Sequence, residues 1–200
     1  MKKIEKQVIP IMPGEFSPVL MNIIGTCNED GTPNLSAVSW VSFNPGPPKS
    51  IIFSTADVYT MPTLNNILRT GEFAVNLCTV GMADFVEDVC AYGDDIHNHG
   101  KLEYGYAWGE KTKTPILDVS PFVVECKVSQ THRLGNYHIF FAEIACQHLA
   151  KSLAGNSLQE SDSIHAWNAN DPYYKWLENM DMNELDPLLW LGHWYRVERL

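Results

Sequence analysis

Residues 19–43, VLMNIIGTCNEDGTPNLSAVSWVSF, constrain the fold of this chain more than any other segment. Two runs rich in aliphatic and other apolar residues flank NEDGTPN, where Asp30 and Gly31 both tolerate the positive φ of a tight reversal. Apolar runs on either side of such a turn are typical of a β-hairpin. The segment therefore predicts two antiparallel strands near the start of the chain.

Short strands separated by turn residues continue through the first two thirds of the sequence. After the hairpin, the prolines of NPGPP lack backbone N–H donors and fix φ. We therefore expect the chain to leave the sheet here and SIIFST to form the next strand. EFAVNLC, PFVVECKVSQ and HIFFAEIACQHLA have strand composition, and the last two, joined by THRLGNY, predict a second hairpin over about residues 121–150. This succession is typical of a barrel or sandwich rather than of alternating strands and helices.

One segment has helical periodicity. YTMPTLNNILRTGEF places Leu64, Ile67 and Leu68 at helical spacing before Gly71, which predicts a single short helix. Residues 81–114 lack clean periodicity and predict a short helix followed by a long irregular excursion.

The last fifty residues contain four of the six tryptophans. Aromatic side chains at this density pack against another surface, so we expect a helical or irregular arm that covers the barrel or a second subunit. A chain of 200 residues is long enough for one self-sufficient core. We expect a single domain over residues 1–200, with its core over about 15–150 and the arm over 151–200.

Composition excludes several classes of function. The formal net charge of -10 argues against a nucleic-acid partner, because such binding depends on Lys and Arg. No apolar run is long enough for a membrane span, and no apolar block follows Lys2 and Lys3 to form a secretory signal. We therefore expect a cytoplasmic protein. Five widely spaced cysteines without a C-x-x-C pair indicate neither a disulfide framework nor a zinc knuckle.

Common catalytic and cofactor signatures are absent from the sequence. It has no G-x-G-x-x-G, no phosphate-binding G-x-x-x-x-G-K-[ST] and no G-x-S-x-G around a serine nucleophile. DDIHNHG, residues 94–100, offers two carboxylates and two imidazoles, but no second cluster completes a metal site. We favour a solvated loop there and expect no metal, and we interpret His138 as a structural histidine.

Hydroxyl groups collect at the ends of the second and third strands and at the start of the helix. Ser54 and Thr55 end a strand, and Thr60 and Thr63 open the helix, whose free N–H groups suit a phosphate monoester. The same threonines could equally be simple helix caps. Local evidence leaves both interpretations open.

Four elements, in order, resemble the flavin reductase-like proteins of the FMN-binding split-barrel fold. EDGTPNLSAVSWVSFNPGPPKSIIFST is similar to the family's first hairpin and next strand, and TLNNILRTGEFAVNL to its helix and following strand. RLGNYHIFFAEIA resembles the late hairpin, and LDPLLWLGHWYRV the C-terminal element. The resemblance covers nearly the whole chain.

The resemblance implies a mainly β fold with flanking helices, a six-stranded antiparallel split barrel followed by the aromatic arm. It also implies a homodimer with FMN at the subunit interface, NAD(P)H as a co-substrate and a small-molecule electron acceptor. Hydride transfer to a flavin requires stacking rather than a titrating side chain, so we assign no catalytic residue. The implied cofactor-binding residues are Ala37, Val38, Ser39, Trp40 and Val41 along the ring, and Ser54, Thr55, Thr63 and Asn66 along the ribityl chain and phosphate.

The chain departs from the family pattern at several positions. Ala56-Asp57 stands where many relatives have a basic residue, and Pro62 where many have an aspartate. Asn136-Tyr137 replaces Asp-His in a Gly-Asp-His sequence, and Trp190 replaces an arginine. The first hypothesis is an NAD(P)H-dependent flavin reductase. The alternative favoured by the changes at Asn136-Tyr137 and Trp190 is an FMN-carrying electron-transfer or flavin-binding protein without reductase activity. A third hypothesis is a barrel for apolar ligands that binds no flavin.

Overall fold

The computed structural model describes residues 19–44, 46, 48–57, 61–91, 105–151, 189–190 and 194–195. DDIHNHG, Thr60 and most of the predicted arm lie outside these residues. In chain order the described residues form β1 (Val19–Leu20), β2 (Asn22–Cys27), β3 (Pro33–Val38), β4 (Val41–Asn44), β5 (Ser50–Ala56), α1 (Met61–Thr70), β6 (Glu72–Leu77), a 3-10 turn (Val80–Met82), α2 (Ala83–Ala91), β7 (Tyr106–Trp108), β8 (Pro115–Leu117), β9 (Phe122–Leu134), β10 (Tyr137–Leu149), β11 (Leu189–Trp190) and β12 (Trp194–Tyr195).

The main sheet is antiparallel and has the strand order β3-β2-β6-β9-β10-β5-β4. Its two outer members, β3 and β4, belong to one stretch of chain that is interrupted only at Ser39 and Trp40. The two edges of the sheet therefore meet in the same segment, and the sheet closes into a barrel that is split at this point. The predicted split barrel is confirmed. The interruption divides one of the six predicted strands into two.

The first hairpin forms where the sequence predicts it. Cys27 pairs with Pro33, which leaves residues 28–32 as the loop. Gly31 adopts φ 86°, and no other residue type in the described chain has positive φ. Asp30 contributes through its carboxylate instead, which accepts hydrogen bonds from the Thr32 N–H (2.9 Å) and hydroxyl (2.6 Å).

Two apolar layers lie on the two faces of the sheet. Inside the barrel, three fully buried phenylalanines pack together: Phe53 stacks on Phe140 with ring centroids 6.0 Å apart, and Phe73 lies tilted against Phe53 at 5.5 Å. Each such side chain stabilises the fold by roughly 1.5–3 kcal/mol. Leu64 and Ile67 of α1 belong to this core. The second layer, between β2–β3 and α2, contains Met21, Ile23, Leu35, Cys78, Met82, Phe85, Val86, Val89 and Leu117.

The predicted helix corresponds to α1, with one difference. Leu64 and Ile67 are buried, but Leu68 is 52% exposed. The helix buries a stripe that includes Thr63 and Asn66 as well, so its inward face is centred away from Leu68. Polar contacts of α1, described below, explain this orientation.

The second hairpin has the predicted extent but a shorter turn than the sequence suggests. β9 and β10 pair from Phe122 and Leu149 up to Leu134 and Tyr137, so the turn is only Gly135 and Asn136. THRLGNY was predicted as the connection, but its first residues continue the strand. Gly135 adopts φ 59°, which permits a two-residue turn.

Part of the C-terminal segment returns to the start of the described chain. Leu189–Trp190 pairs with Val19–Leu20, and Trp194–Tyr195 pairs with Leu189–Trp190, which makes a three-stranded sheet. The division into a core and an arm stays a prediction. No helix in the described ranges is both long and apolar enough to cross a bilayer.

Candidate functional site

The interruption between β3 and β4 brings five of the predicted residues together. At this point the Val41 N–H donates to the Ser39 carbonyl (2.9 Å), and the Ser54 N–H of β5 donates to the Trp40 carbonyl (3.1 Å). Thr55 follows Ser54 on the same strand. Ser39, Trp40 and Val41 therefore lie directly beside the end of β5, as expected if they share one site.

Ala37 and Val38 lie on β3, opposite Ile23 and Asn22 of β2. Val38 is buried in the barrel core, so its side chain is not available to a ligand. The other edge of β3 has no strand partner among the described residues. β3 can therefore hydrogen-bond a bound molecule through the backbone N–H and carbonyl groups along this edge.

Ser54 and Thr55 point to opposite faces of β5. Burial alternates along this strand, with Ser54 half-buried and Thr55 at 0% exposure on the barrel side. Thr55 lies across from His138 of β10, and Ser54 across from Ile139. A ligand on the outer face can therefore contact the Ser54 hydroxyl but not that of Thr55.

Thr63 and Asn66 take part in a separate polar cluster. Asn34 Nδ2 donates to Thr63 Oγ1 (2.8 Å) and to Thr26 Oγ1 (2.9 Å), and Asn66 Nδ2 donates to Thr26 Oγ1 (3.1 Å) and Asn28 Oδ1 (2.8 Å). Asn34 Oδ1 is buried without a hydrogen-bond partner in the described structure. This cluster fixes α1 on the first hairpin.

The two groups of predicted residues are far apart along β3. Asn34 and Ser39 are separated by about 16 Å of extended chain, at about 3.3 Å per residue. The structure thus divides the predicted site into an end near the strand interruption and an end near α1. Only an elongated ligand could contact both.

A charged group lies on the inner face of the late hairpin, close to Thr55. Asp57 Oδ2 is 2.9 Å from Arg133 Nη2, and Asp57 Oδ1 is 2.9 Å from His138 Nε2 in a poorly aligned contact. The Asp57 N–H donates to the Asn136 carbonyl (2.9 Å). These contacts tie the tip of the β9–β10 hairpin to the end of β5.

An exposed aromatic pair lies on the outer face at the same place. The rings of Trp40 and Tyr137 meet edge to face, with centroids 5.7 Å apart and planes at 72°. They are 36% and 39% exposed. Edge-to-face contact is a favoured geometry for aromatic pairs, and the open ring surfaces are available to a third ring.

Glu125 forms the most highly coordinated polar site of the described structure. Its carboxylate is fully buried and accepts hydrogen bonds from the Glu110, Lys111 and Thr112 N–H groups, the Thr112 hydroxyl and His148 Nε2, all within 2.7–2.8 Å. Burial alone would raise the pKa of Glu125, but the bonds from His148, Lys111, Thr112 and Glu110 outweigh it and lower this pKa to about 2.

Glu125, Cys146 and His148 place three potential metal ligands within 4.8 Å of one another. Both carboxylate oxygens of Glu125 are already hydrogen-bonded, so a cation would have to displace those donors. Burial, and secondarily Glu125, raises the pKa of the Cys146 thiol, which disfavours the thiolate that binds metals. The cluster is better suited to holding the loop at residues 109–114 in place.

All five cysteines are free thiols. Cys27, Cys78 and Cys126 are buried, and burial raises the pKa values of the last two. Such thiols pack as small apolar side chains.

Sequence reasoning missed the roles of Glu125 and Asn34. A signal was present in each case: Glu125 is a lone carboxylate within the apolar run PFVVEC, and Asn34 is an amide within the strand that follows Gly31. An isolated polar residue in a buried strand needs hydrogen-bond partners, but the sequence does not say which backbone groups provide them.

Comparison with known proteins assigns the chain to a family. The domain described as "Flavin reductase like domain" matches residues 17–174. No curated protein sequence matches the chain. Among solved structures, the flavoredoxin of Methanosarcina acetivorans has a TM-score of 0.75 at 20% identity, covering 98% of this chain and 94% of that protein.

Two further solved structures that are similar to this chain are named for a flavin. An FMN-binding protein from Thermus thermophilus, solved with p-hydroxybenzaldehyde, has a TM-score of 0.63 at 17% identity and covers 76% of this chain and 84% of its own. The NADH:FAD oxidoreductase of Streptomyces globisporus C-1027 has a TM-score of 0.65 at 12% identity, over 98% and 95% of the two chains. At these identities the structures establish the fold, while the domain match extends over most of the sequence. The chain belongs to the flavin reductase-like family.

Proposed function

We propose that this chain is an FMN-binding oxidoreductase whose flavin lies along the interruption between β3 and β4. The observation that carries the proposal is the placement of Ser39, Trp40 and Val41 beside Ser54, next to a strand edge without a partner in the described structure. Backbone donors and acceptors on such an edge are suited to the polar edge of a flavin ring. Trp40 adds an exposed aromatic surface beside that edge.

The residues of this chain position and shield the cofactor. Ser54, on the outer face, offers its hydroxyl to the ribityl chain, and the β3 backbone orients the ring. Thr63 and Asn66 are assigned to the phosphate end. Thr63 accepts its present hydrogen bond from Asn34, so its hydroxyl can still donate to a phosphate, whereas Asn66 would exchange a present hydrogen bond for one to the ligand. When bound, the flavin supplies hydride acceptance from a nicotinamide and electron transfer to a second acceptor.

The family relationship and the names of similar structures support a flavin rather than another cofactor. One similar protein is named for FMN and another for FAD, so the choice of FMN is part of the proposal. The homodimer, with a second copy completing the flavin site, and the cytoplasmic location stay predictions.

A second candidate is a flavin carrier without NAD(P)H reductase activity. The observation that favours it is the hairpin tip, where Tyr137 replaces the histidine of the family pattern. The neighbouring Arg133 is paired with Asp57 at 2.9 Å, so binding the phosphates of a dinucleotide would compete with this ion pair.

An absorbance spectrum from about 300 to 550 nm, before and after anaerobic addition of NADH or NADPH, separates these possibilities. Bleaching of a flavin band by either nicotinamide supports the reductase. An oxidised flavin that does not bleach supports the carrier. A protein that shows no flavin band, even after incubation with FMN, contradicts both and leaves the barrel for apolar ligands. Chromatography of the released flavin identifies FMN or FAD.

A further inference from the structure

Asn34 connects the first hairpin to α1 at the end of the site that is assigned to the flavin phosphate. Its side chain is fully buried, and Thr63, the third residue of α1, is buried beside it. Both N–H bonds of the Asn34 amide are used, because Nδ2 donates to Thr63 Oγ1 (2.8 Å) and to Thr26 Oγ1 (2.9 Å). Thr63 is therefore the acceptor in its bond with Asn34.

The orientation of the Asn34 amide determines where the Thr63 proton can go. A hydroxyl that accepts from an amide N–H directs its own proton away from that amide. The reverse orientation would place Oδ1 beside the two hydroxyls, and Thr63 would then donate its proton to Asn34. In the observed orientation the Thr63 proton stays available for another acceptor.

Neighbouring hydrogen bonds hold the anchor of Asn34 in place. Arg69 can only donate, and its Nη2 lies 3.3 Å from Asn66 Oδ1. The Asn66 amide therefore directs Nδ2 toward Thr26 Oγ1, at 3.1 Å. Because Thr26 accepts from both amides, Asn34 has a fixed contact on one side and Thr63 on the other.

The same orientation leaves Asn34 Oδ1 buried without a hydrogen-bond partner among the described residues. A buried acceptor without a partner is unfavourable, and its presence in a native cluster requires a reason. The orientation that leaves this acceptor unpaired is also the one that keeps the Thr63 proton available. Local rules of this kind are broken mainly where a site needs it for function, which favours a ligand acceptor at Thr63.

We propose that Asn34 is a positioning residue for the flavin: it directs the hydroxyl proton of Thr63 toward the phosphate of FMN. This inference rests on the proposed function, which assigns Thr63 to the phosphate end. The end of β5 supplies no cation, since Ala56 and Asp57 stand there. Recognition of the phosphate therefore depends on oriented neutral donors, namely the Thr63 hydroxyl and the free N–H groups at the start of α1.

The test compares FMN with riboflavin, which differs from it only by lacking the phosphate. Fluorescence quenching gives both affinities for the full chain freed of flavin. We expect the wild type to prefer FMN at least tenfold. Asn34→Ala and Thr63→Val should each lower this preference about fivefold, with riboflavin affinity within twofold of the wild type. The double variant should lose no more than Thr63→Val alone, because Asn34 acts through the Thr63 hydroxyl.

Asn76→Ala is the matched control. Asn76 is another fully buried strand asparagine, and its Nδ2 donates to the Ile23 (3.2 Å) and Pro115 (3.3 Å) carbonyls. Its loss should lower the thermal stability as much as that of Asn34 and leave the preference for FMN unchanged. The comparison thus separates a role in phosphate recognition from a role in folding alone.

Three results would overturn the inference while leaving the flavin proposal intact: an unchanged preference for FMN in Asn34→Ala, an equal loss of preference in Asn76→Ala, or a further loss when Asn34→Ala is added to Thr63→Val. Equal affinities of the wild type for FMN and riboflavin would do the same, because no phosphate would then reach Thr63. Failure of the wild type to bind either flavin would refute the proposed function itself.

A measurement on the wild type decides the matter if Asn34→Ala does not fold. Nuclear magnetic resonance of the chain with ¹⁵N-labelled asparagine follows the side-chain amide protons of Asn34 directly. We expect FMN to shift these resonances and riboflavin to leave them in place. The same response to both flavins would overturn the inference.

Discussion

Two tryptophan–tyrosine pairs among the described residues have nearly the same geometry and different surroundings. Trp40 and Tyr137 meet at 5.7 Å and 72°, and Tyr106 and Trp108 meet at 5.5 Å and 86°. The second pair lies within one strand, β7, and has Lys113 Nζ 5.8 Å from the Trp108 ring. The first pair joins distant parts of the sequence at the strand interruption.

Each pair lies near a carboxylate that holds its hairpin. Glu125, fully buried, fixes the loop that follows Trp108 through three backbone N–H groups. Asp57, half-buried, fixes the tip that carries Tyr137 through its ion pair with Arg133 and its N–H bond to the Asn136 carbonyl. The comparison shows that similar aromatic contacts occur beside a loop fixed by several buried hydrogen bonds and at a hairpin tip fixed by a partly exposed ion pair. The latter adjoins the proposed site.

The largest effect is expected from Glu125→Gln. An amide in this position would present two donors to a pocket built of donors, so we expect a loss of about 3 kcal/mol in the free energy of unfolding. Urea unfolding followed by circular dichroism measures it. The affinity for FMN, measured without denaturant, should stay within twofold of the wild type because the strand interruption does not depend on this loop.

Glu72→Gln is the matched control for that substitution. Glu72 Oε2 also accepts a backbone N–H from the same loop, that of Lys113 at 3.0 Å, but it is only half-buried. We expect a loss below about 1 kcal/mol. A loss in Glu125→Gln no larger than in this control would contradict the assigned role of Glu125.

The same carboxylate predicts a dependence of stability on pH. Because the pKa of Glu125 in the folded chain is lowered from 4.5 to about 2, its contribution is complete above about pH 4.5 and disappears as the pH falls toward 2. The difference in unfolding free energy between the wild type and Glu125→Gln should shrink by about 3 kcal/mol over that range. Urea titrations at pH 6 and pH 2.5 test this, and a constant difference would contradict it.

A smaller effect is expected at the other hairpin. Asp57→Asn removes the charge that pairs with Arg133 at 2.9 Å in a partly solvated place. We expect a loss of about 1 kcal/mol in unfolding free energy and faster amide hydrogen exchange at residues 133–138. Unchanged exchange there would show that the turn alone holds the tip.

The smallest effect concerns the cation beside the Tyr106–Trp108 pair. Lys113→Gln removes the charge 5.8 Å from the Trp108 ring, an exposed contact worth about 0.5 kcal/mol. Chemical denaturation can measure this difference, and the Lys113 N–H bond to Glu72 does not involve the altered side chain. A loss above about 1 kcal/mol would indicate that the cation holds the loop as well as the ring.

The local parts of the fold could be predicted from the sequence because they depend on neighbours in the chain. Gly31, the apolar runs on either side of its turn and the spacing of Leu64 and Ile67 determine a hairpin and a helix within a few residues. The closure of the sheet into a split barrel was predicted only from the family resemblance. Local patterns alone do not reveal which strands pair at the two ends of a sheet.

The polar contacts of the candidate site could not be predicted to the same extent. Ser54 and Thr55 were grouped by their hydroxyls, although neighbouring strand residues face opposite sides. Thr63 and Asn66 were assigned to a ligand, while the structure bonds them to Asn34 and Thr26. Such partners are set by tertiary packing between elements that are distant in the sequence. Their assignment to the flavin stays a prediction.

The central claim is that the flavin binds at Trp40 and not elsewhere on the barrel. Titration of FMN, followed by quenching of its fluorescence, in the wild type, Trp40→Leu and Trp108→Leu tests this claim most directly. We predict that Trp40→Leu raises the Kd at least tenfold, about 1.4 kcal/mol, while Trp108→Leu changes it less than twofold. Equal affinities in the two variants, with both folded, would contradict the account.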